Sequence, residues 1–200
     1  MLFSRVSLPR VLSLSLTAAV ALCVAGCDRQ SEEGAQPEEA GAGSSEQLTG
    51  ILDRSFAGQP MPAAMLLHPE GERLALDDTR GTPVLLNLWA TWCAPCVVEM
   101  PLLDGLAGEL DGEVRVLTVS EDMQGAEAVV PFFEGRDLDH LPRWMDPQNE
   151  LAVAFGGGAA LPLTVLYDAQ GREVWRVMGA YDWSSAEARE EIAAGLAGEG

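Results

Sequence analysis

The chain has 200 residues, 48% of them apolar, with 31 acidic against 12 basic residues and a formal charge of −19. That length suits one domain of ordinary size with extra segments at its ends. Every basic residue is arginine, which excludes Schiff-base chemistry on lysine and a phosphate-binding P-loop; the acidic surplus excludes nucleic acid, whose phosphates need clustered cations.

Residues 1–26 read as a signal segment. Arg5 and Arg10 supply a positive start, and the stretch from Val11 to Gly26 is uncharged and rich in Leu, Val and Ala, a length that suits a signal-peptide core better than a membrane span. It ends in "VAGC", small residues before Cys27, a pattern that resembles the lipobox of bacterial lipoproteins. In that family the bond before the cysteine is cut and the cysteine carries the lipid, here Cys27. An ordinary cleaved signal with a chance cysteine is the alternative. Asp28 resembles an inner-membrane retention signal, which favours the inner over the outer membrane. Cleavage would remove Cys23 together with Arg5 and Arg10, taking the formal charge from −19 to −21. Residues 27–50 are then a lipidated cysteine and an acidic tether, too poor in large apolar residues to offset ordering entropy.

The domain is expected over 51–200. "MPAAMLLHPEGERLAL" reads as a hairpin about a Pro-Glu-Gly turn, and "LDDTRG" as a brief helical turn ended by Gly81. The almost wholly apolar run 83–90 predicts a strand buried on both faces. Helical spacing follows over about 94–110, with Pro101 expected to kink it. A strand over 113–120, a helix over 124–135, a loop containing "LPRWMDP" and a short helix over 148–155 come next. "GGGAALP" is a turn without the placement of a phosphate cradle. Strands over 163–168 and 172–179 should pair antiparallel across "AQG", and 184–197 closes as a helix. This order predicts an α/β fold, a central mixed sheet flanked by helices with an N-terminal β-hairpin.

The chemistry gathers at Cys93 and Cys96. Structural zinc needs four ligands, and the chain offers one cysteine pair and two isolated histidines, His68 and His140. A purely structural disulfide over so short a loop gains little entropy. A redox pair fits better. With a strand ending near Ala90 and a helix starting near Cys93, the first sulfur sits at a helix N-terminus, where free amides and the dipole favour a thiolate. Lowering its pKa from about 8.5 to about 7 takes roughly 2 kcal/mol. Cys93 attacks a substrate disulfide and Cys96, one turn inside, resolves the mixed disulfide. Pro95 stiffens the inter-cysteine turn, and the spacer Ala94-Pro95 holds no cation, which favours a reductant. Glu99, three residues on, is the nearest carboxylate to take the Cys96 proton; a plain solvated glutamate is the alternative. Asn87 points into the same interior and needs a partner, either near the cysteines or in a purely structural role. An X-Pro bond at Leu161-Pro162, just before a strand, is a candidate cis bond whose neighbouring backbone could pair with an extended substrate.

"NLWATWCAPCVVEMP", "ALPLTVLYDAQGREV" and "GAYDW" together resemble the TlpA/ResA-like membrane-anchored thiol–disulfide oxidoreductases of the thioredoxin superfamily, over roughly residues 60–198. The resemblance implies a thioredoxin-like fold facing the periplasm, a cis Pro162, Cys93 as nucleophile, Cys96 as resolving thiol and Glu99 as an active-site glutamate. Trp92 matches the aromatic beside the motif, in a core or partner-contact role, and Leu161 with Pro162 and Pro95 lines the substrate groove. It also implies client proteins with disulfides, as in cytochrome c or copper-site maturation, a membrane thiol electron donor, and no cofactor beyond the cysteine pair. Two departures stand out. Asn87 replaces the buried aspartate of thioredoxin, as is usual in the TlpA/ResA-like group, and Leu163 stands where Thr or Ser is common. Other classes make different demands. A copper-handling binding protein would use Cys93, Cys96 and His140. A peroxidase on this fold expects threonine three residues before the cysteine and a proline, whereas Thr91 is two before Cys93.

Overall fold

The almost wholly apolar run 83–90 forms the centre of the sheet. The computed structural model describes residues 48–157 and 160–198. The expected signal segment, Cys27, and all but the last three residues of the expected tether lie outside these, as do Gly158 and Ala159 of the Gly-rich turn. Gly50 is already tied to the domain, its N–H donating to the Ala180 carbonyl at 2.7 Å.

In chain order the strands are β1 (Ile51–Asp53), β2 (Met65–Leu67), β3 (Arg73–Ala75), β4 (Val84–Trp89), β5 (Arg115–Ser120), β6 (Trp144–Met145), β7 (Leu163–Tyr167) and β8 (Glu173–Met178). The helices are α1 (Ala94–Glu109), α2 (Ala126–Glu134), α3 (Glu150–Ala154) and α4 (Ala186–Ala197), with a 3-10 turn over Leu76–Thr79. The strands form one mixed sheet in the order β1-β8-β7-β4-β5-β6-β2-β3. β4 runs parallel to β5 and antiparallel to β7. The expected hairpin is β2–β3, antiparallel at the sheet's far edge, and the expected β7–β8 pairing is present. Two elements were not expected. β1 adds an antiparallel edge strand beside β8, and Trp144–Met145, read as loop, pairs with β5 and β2. Both are too short for a period-2 signal to register.

All six residues of β4 are buried, as a strand covered on both faces requires. Its alternating side chains feed two cores. Leu85 and Trp89 join Met100, Leu103 and Leu106 of α1, Phe132 and Phe133 of α2, and Ile192 of α4. Leu86 and Leu88 join Leu117, Val119, Val165 and Leu151 of α3 on the other side. Each such side chain contributes about 1.5–3 kcal/mol when fully buried. Asn87 falls between Leu85 and Trp89 in that alternation, so it shares their face, the one covered by α1. Helix α1 runs unbroken across Pro101. The proline removes one rung of its hydrogen-bond ladder without ending it, since the helix is held by its buried face.

Candidate active site

The chain leaves the centre of the sheet at Trp89 and enters α1 at Ala94. Cys93 is the N-cap, in extended backbone conformation, and its Sγ accepts the Cys96 N–H at 3.3 Å. Pro95 sits in the first turn, where a missing N–H costs nothing. The expected placement of the pair is therefore observed. Sulfur takes the place of the usual capping oxygen, and the Cys96 amide that donates to it is one that would hold a thiolate. Cys93 and Cys96 are bonded to each other, with Cα atoms 5.3 Å apart. Cys93 is 6% exposed and Cys96 fully buried, so the first sulfur is the one that solvent and partners meet.

Glu99 is a completely buried side chain, not a solvated one. On a helix the i, i+3 relation puts it one turn below Cys96, with Cβ atoms about 5–6 Å apart. Its Oε1 accepts from Asn87 Nδ2 at 2.8 Å, and its Oε2 accepts from the Tyr181 N–H at 3.0 Å and the Trp183 indole N–H at 3.2 Å. Burial disfavours the charged form and pushes its pKa from 4.5 to about 7; the donors from Tyr181, Asn87 and Trp183 pull the other way without winning. Asn87 thus has a specific partner near the cysteines, and its amide also donates to Thr164 Oγ1 of β7 at 2.9 Å.

The Leu161-Pro162 peptide bond is cis. Leu163 pairs with Leu88 in the β4–β7 register, so Pro162 lies level with the end of β4, where the chain turns towards Cys93. Leu161 packs on the core cluster that contains both cysteines. Trp92 is 69% exposed, which removes the core role and leaves a surface one. Leu163 is buried; its side chain belongs to the opposite core.

Several site residues escaped the sequence reading. Asp122, just beyond β5, clamps the loop ahead of the cysteines. Its Oδ2 accepts from the Thr91 N–H at 2.8 Å and from Ser120 Oγ at 2.8 Å, and its Oδ1 accepts from Thr91 Oγ1 at 2.8 Å. Two parallel strands side by side bring their carboxyl ends together, the usual place for a site in such sheets, and that signal was available at "SED". Asp122→Ala strands the Thr91 N–H and should lower unfolding stability by about 1–2 kcal/mol in urea titrations; an unchanged midpoint would show that water replaces the carboxylate freely. Thr164, Tyr181 and Trp183 lie in "ALPLTVLYDAQGREV" and "GAYDW", segments that carry the family resemblance, but nothing in those segments tied them to Glu99 or Asn87.

His140 is not brought to the sulfurs. Its N–H donates to Asp104 Oδ1 at 2.8 Å and its Nδ1 lies 3.0 Å from Asp104 Oδ2, a contact that raises its pKa. Asp104 is on α1, eleven residues beyond Cys93, about 16 Å along the axis. His68 stacks edge-on against Trp144 at 5.2 Å. Among the described residues no group of three or more His, Cys, Asp or Glu side chains is placed to hold a metal ion.

The AhpC/TSA family model matches residues 57–178, more than half of the chain. A thiol:disulfide interchange protein DsbE from Xylella fastidiosa is 32% identical over 135 residues, 66% of this chain and 66% of that protein. A thiol-disulfide oxidoreductase ResA from Bacillus thuringiensis is 30% identical over 122 residues, 61% of this chain and 69% of that protein. The chain therefore spans about two thirds of the length of these relatives. The crystal structure of a putative thiol:disulfide interchange protein DsbE from Chlorobium tepidum matches with a TM-score of 0.61 at 22% identity, over 70% of this chain and 97% of that one, a likeness of fold. The matched segment carries β4, the Cys93–Cys96 pair, Glu99, the cis Pro162 and the β7–β8 hairpin: the chain belongs to the AhpC/TSA family, with a thioredoxin-like fold and relatives named as thiol–disulfide oxidoreductases of the DsbE and ResA kind.

Proposed function

We propose that this protein is a thiol–disulfide oxidoreductase, held by lipid on Cys27 at the periplasmic face of a bacterial inner membrane, that reduces disulfides in client proteins. The observation that carries the reading is the Cys93–Cys96 bond at the N-cap of α1, with a buried carboxyl of pKa about 7 in the next turn. The names of the relatives support it, and the anchor rests on the signal-like segment and "VAGC". Several acyl chains on one cysteine make a stable anchor.

In the reduced protein, Cys93 thiolate attacks one sulfur of a client disulfide. A Cys93–client S–S bond forms, the client S–S bond breaks, and the first client sulfur leaves as a thiolate. Cys96 gives its proton to the Glu99 carboxylate and attacks Cys93 Sγ. The Cys93–Cys96 bond forms and the second client thiolate leaves, taking up a proton. The client gains two electrons and the cysteine pair loses two. A dithiol of a membrane carrier restores the pair by the reverse exchange, and no cofactor takes part. Clients of the kind matured with haem or copper are those the ResA-like resemblance implies.

Cys96→Ser in the full chain, expressed in its bacterium, should accumulate a membrane-bound, reductant-sensitive adduct through Cys93, whose partner mass spectrometry identifies. Absence of any adduct while Cys93 still alkylates would sink the exchange reading. Recovery of the protein from the soluble fraction would sink the anchor alone.

A further inference from the structure

The exchange leaves one feature beside Cys93 unused. A cavity of about 430 Å³ is lined by Trp92, Glu121, Met123, Gln124 and Asn149. Trp92 immediately precedes the nucleophile, so whatever fills the cavity flanks the attacked sulfur. Trp92 and Met123 are large apolar side chains standing largely in solvent. Glu121 is the opposite: 5% exposed, with neither carboxylate oxygen in hydrogen-bond geometry with a partner among the described residues. Its backbone is fixed, the N–H donating to the Trp89 carbonyl at 2.9 Å and the carbonyl accepting from Asn149 Nδ2 at 2.9 Å. A buried polar group without a partner costs about 1–3 kcal/mol, and such exceptions mark places where something else supplies the partner. The neighbouring acids are already engaged: Asp122 holds Thr91 and Ser120, and Asp146 Oδ2 accepts the Leu151 N–H at 2.7 Å. Among the described residues no cation lines the cavity.

We propose that this cavity is a substrate subsite for a lysine or arginine side chain adjacent to the client cysteine that Cys93 attacks, its cation pairing with Glu121 and its aliphatic stem lying on Trp92 and Met123. Basic side chains present this combination of an apolar stem and a charged tip, and an indole face adds attraction for the cation. Burial and the nearby Asp146 carboxylate keep the empty Glu121 carboxyl mostly neutral near pH 7; an arriving cation draws it into the ionised form, and the charge-assisted hydrogen bond then counts for more in this partly dry site than on an open surface. The subsite rests on the exchange reading, because it orients a client disulfide for Cys93.

The probes are two peptides whose single cysteine is held as a mixed disulfide with 2-mercaptoethanol. They differ only in carrying lysine or norleucine beside that cysteine. Stopped-flow fluorescence reads the oxidation of the reduced full chain, and the quantity of interest is the ratio of the two rates within each protein. The wild type should prefer the lysine peptide by about tenfold. Glu121→Gln should lose most of that ratio, whereas Glu127→Gln, which removes an exposed charge at the start of α2, should keep it. Equal losses in both variants, or no preference in the wild type, would reduce the effect to the general acidity of the chain and overturn the subsite. The wild type also tests it without a variant. In 1 M NaCl the screening length falls to about 3 Å, and a preference that vanishes there overturns the proposal. Bis(2-hydroxyethyl) disulfide reports on the exchange itself: if the reduced wild type does not react with it, the exchange reading fails and the subsite with it.

Discussion

Glutamine in place of Glu99 should slow resolution of the mixed disulfide by about 10²–10⁴-fold at pH 7, the range that a positioned general base supplies. Cys96 is fully buried, so its thiol has no water to take the proton and burial opposes the thiolate. Glu99 is one helical turn away and also fully buried. With a pKa of about 7 it is divided between acid and base forms near neutrality, the condition under which a base works best. The sign follows. Below pH 7 the carboxyl is protonated and the step is slow; as pH rises through about 7 the carboxylate forms and the step accelerates to a plateau. The Gln variant should show no inflection there. Stopped-flow decay of a preformed Cys93 adduct, followed from pH 5 to 9, separates this step from the initial attack. A variant that keeps both the rate and the inflection would make Glu99 a structural group only.

The parts of this site that lie close together in sequence could be read from it; the parts that lie apart could not. "PVLLNLWA" announces a doubly covered strand because, Asn87 apart, it is apolar without alternation. That strand followed by Cys-Ala-Pro-Cys puts the pair at a helix start. The cis Pro162 and the family followed from resemblance, and the relatives bear out the family. What the residues withheld is the environment of Glu99. Its donors come from β4, from Tyr181 and from Trp183, the last two more than 80 positions away. No local pattern tells a buried glutamate on α1 from a solvated one when the apolar cover is contributed by the segment after β8. Trp92 shows the converse: an aromatic between a buried strand and a buried helix looks like core, but it falls in the turn between them and points outwards. Glu121 follows β5 as an ordinary charged residue would. Asp146 and Asn149, in the segment joining β6 to α3, come up against it only in the fold.

Wild-type stability should fall by about 3 kcal/mol or more between pH 5 and pH 8, and Glu99→Gln should remove much of that fall. Glu99 has a pKa of 4.5 as a free side chain and about 7 in the fold, so the native state binds this proton more tightly than the unfolded state does. The contribution is fully present below pH 4.5, where both states are protonated. Above that, the unfolded chain releases the proton first, which favours unfolding, and the contribution is lost as pH rises through 7. The displacement corresponds to about 3 kcal/mol. Glu121, raised to about 8 by burial and then by the nearby Asp146 carboxylate, acts in the same direction at slightly higher pH. Glutamine fits the Glu99 site without a charge. Its carbonyl can accept from Tyr181 and Trp183, and its amide can donate to Asn87 Oδ1, which has no partner among the described residues, once the Asn87 amide turns over. The variant should therefore match the wild type near pH 4 and exceed it by up to about 3 kcal/mol at pH 8. Urea unfolding of both proteins at pH 4, 6 and 8 measures this. A wild type that gains stability towards pH 8, or a variant that tracks it at every pH, would contradict the burial of an ionisable carboxyl. Apolar cover at this position keeps the carboxyl close to neutrality, where it can take a proton from Cys96, and the same cover makes its ionised form a strain on the fold. The Gln variant should therefore be the more stable protein and the slower enzyme.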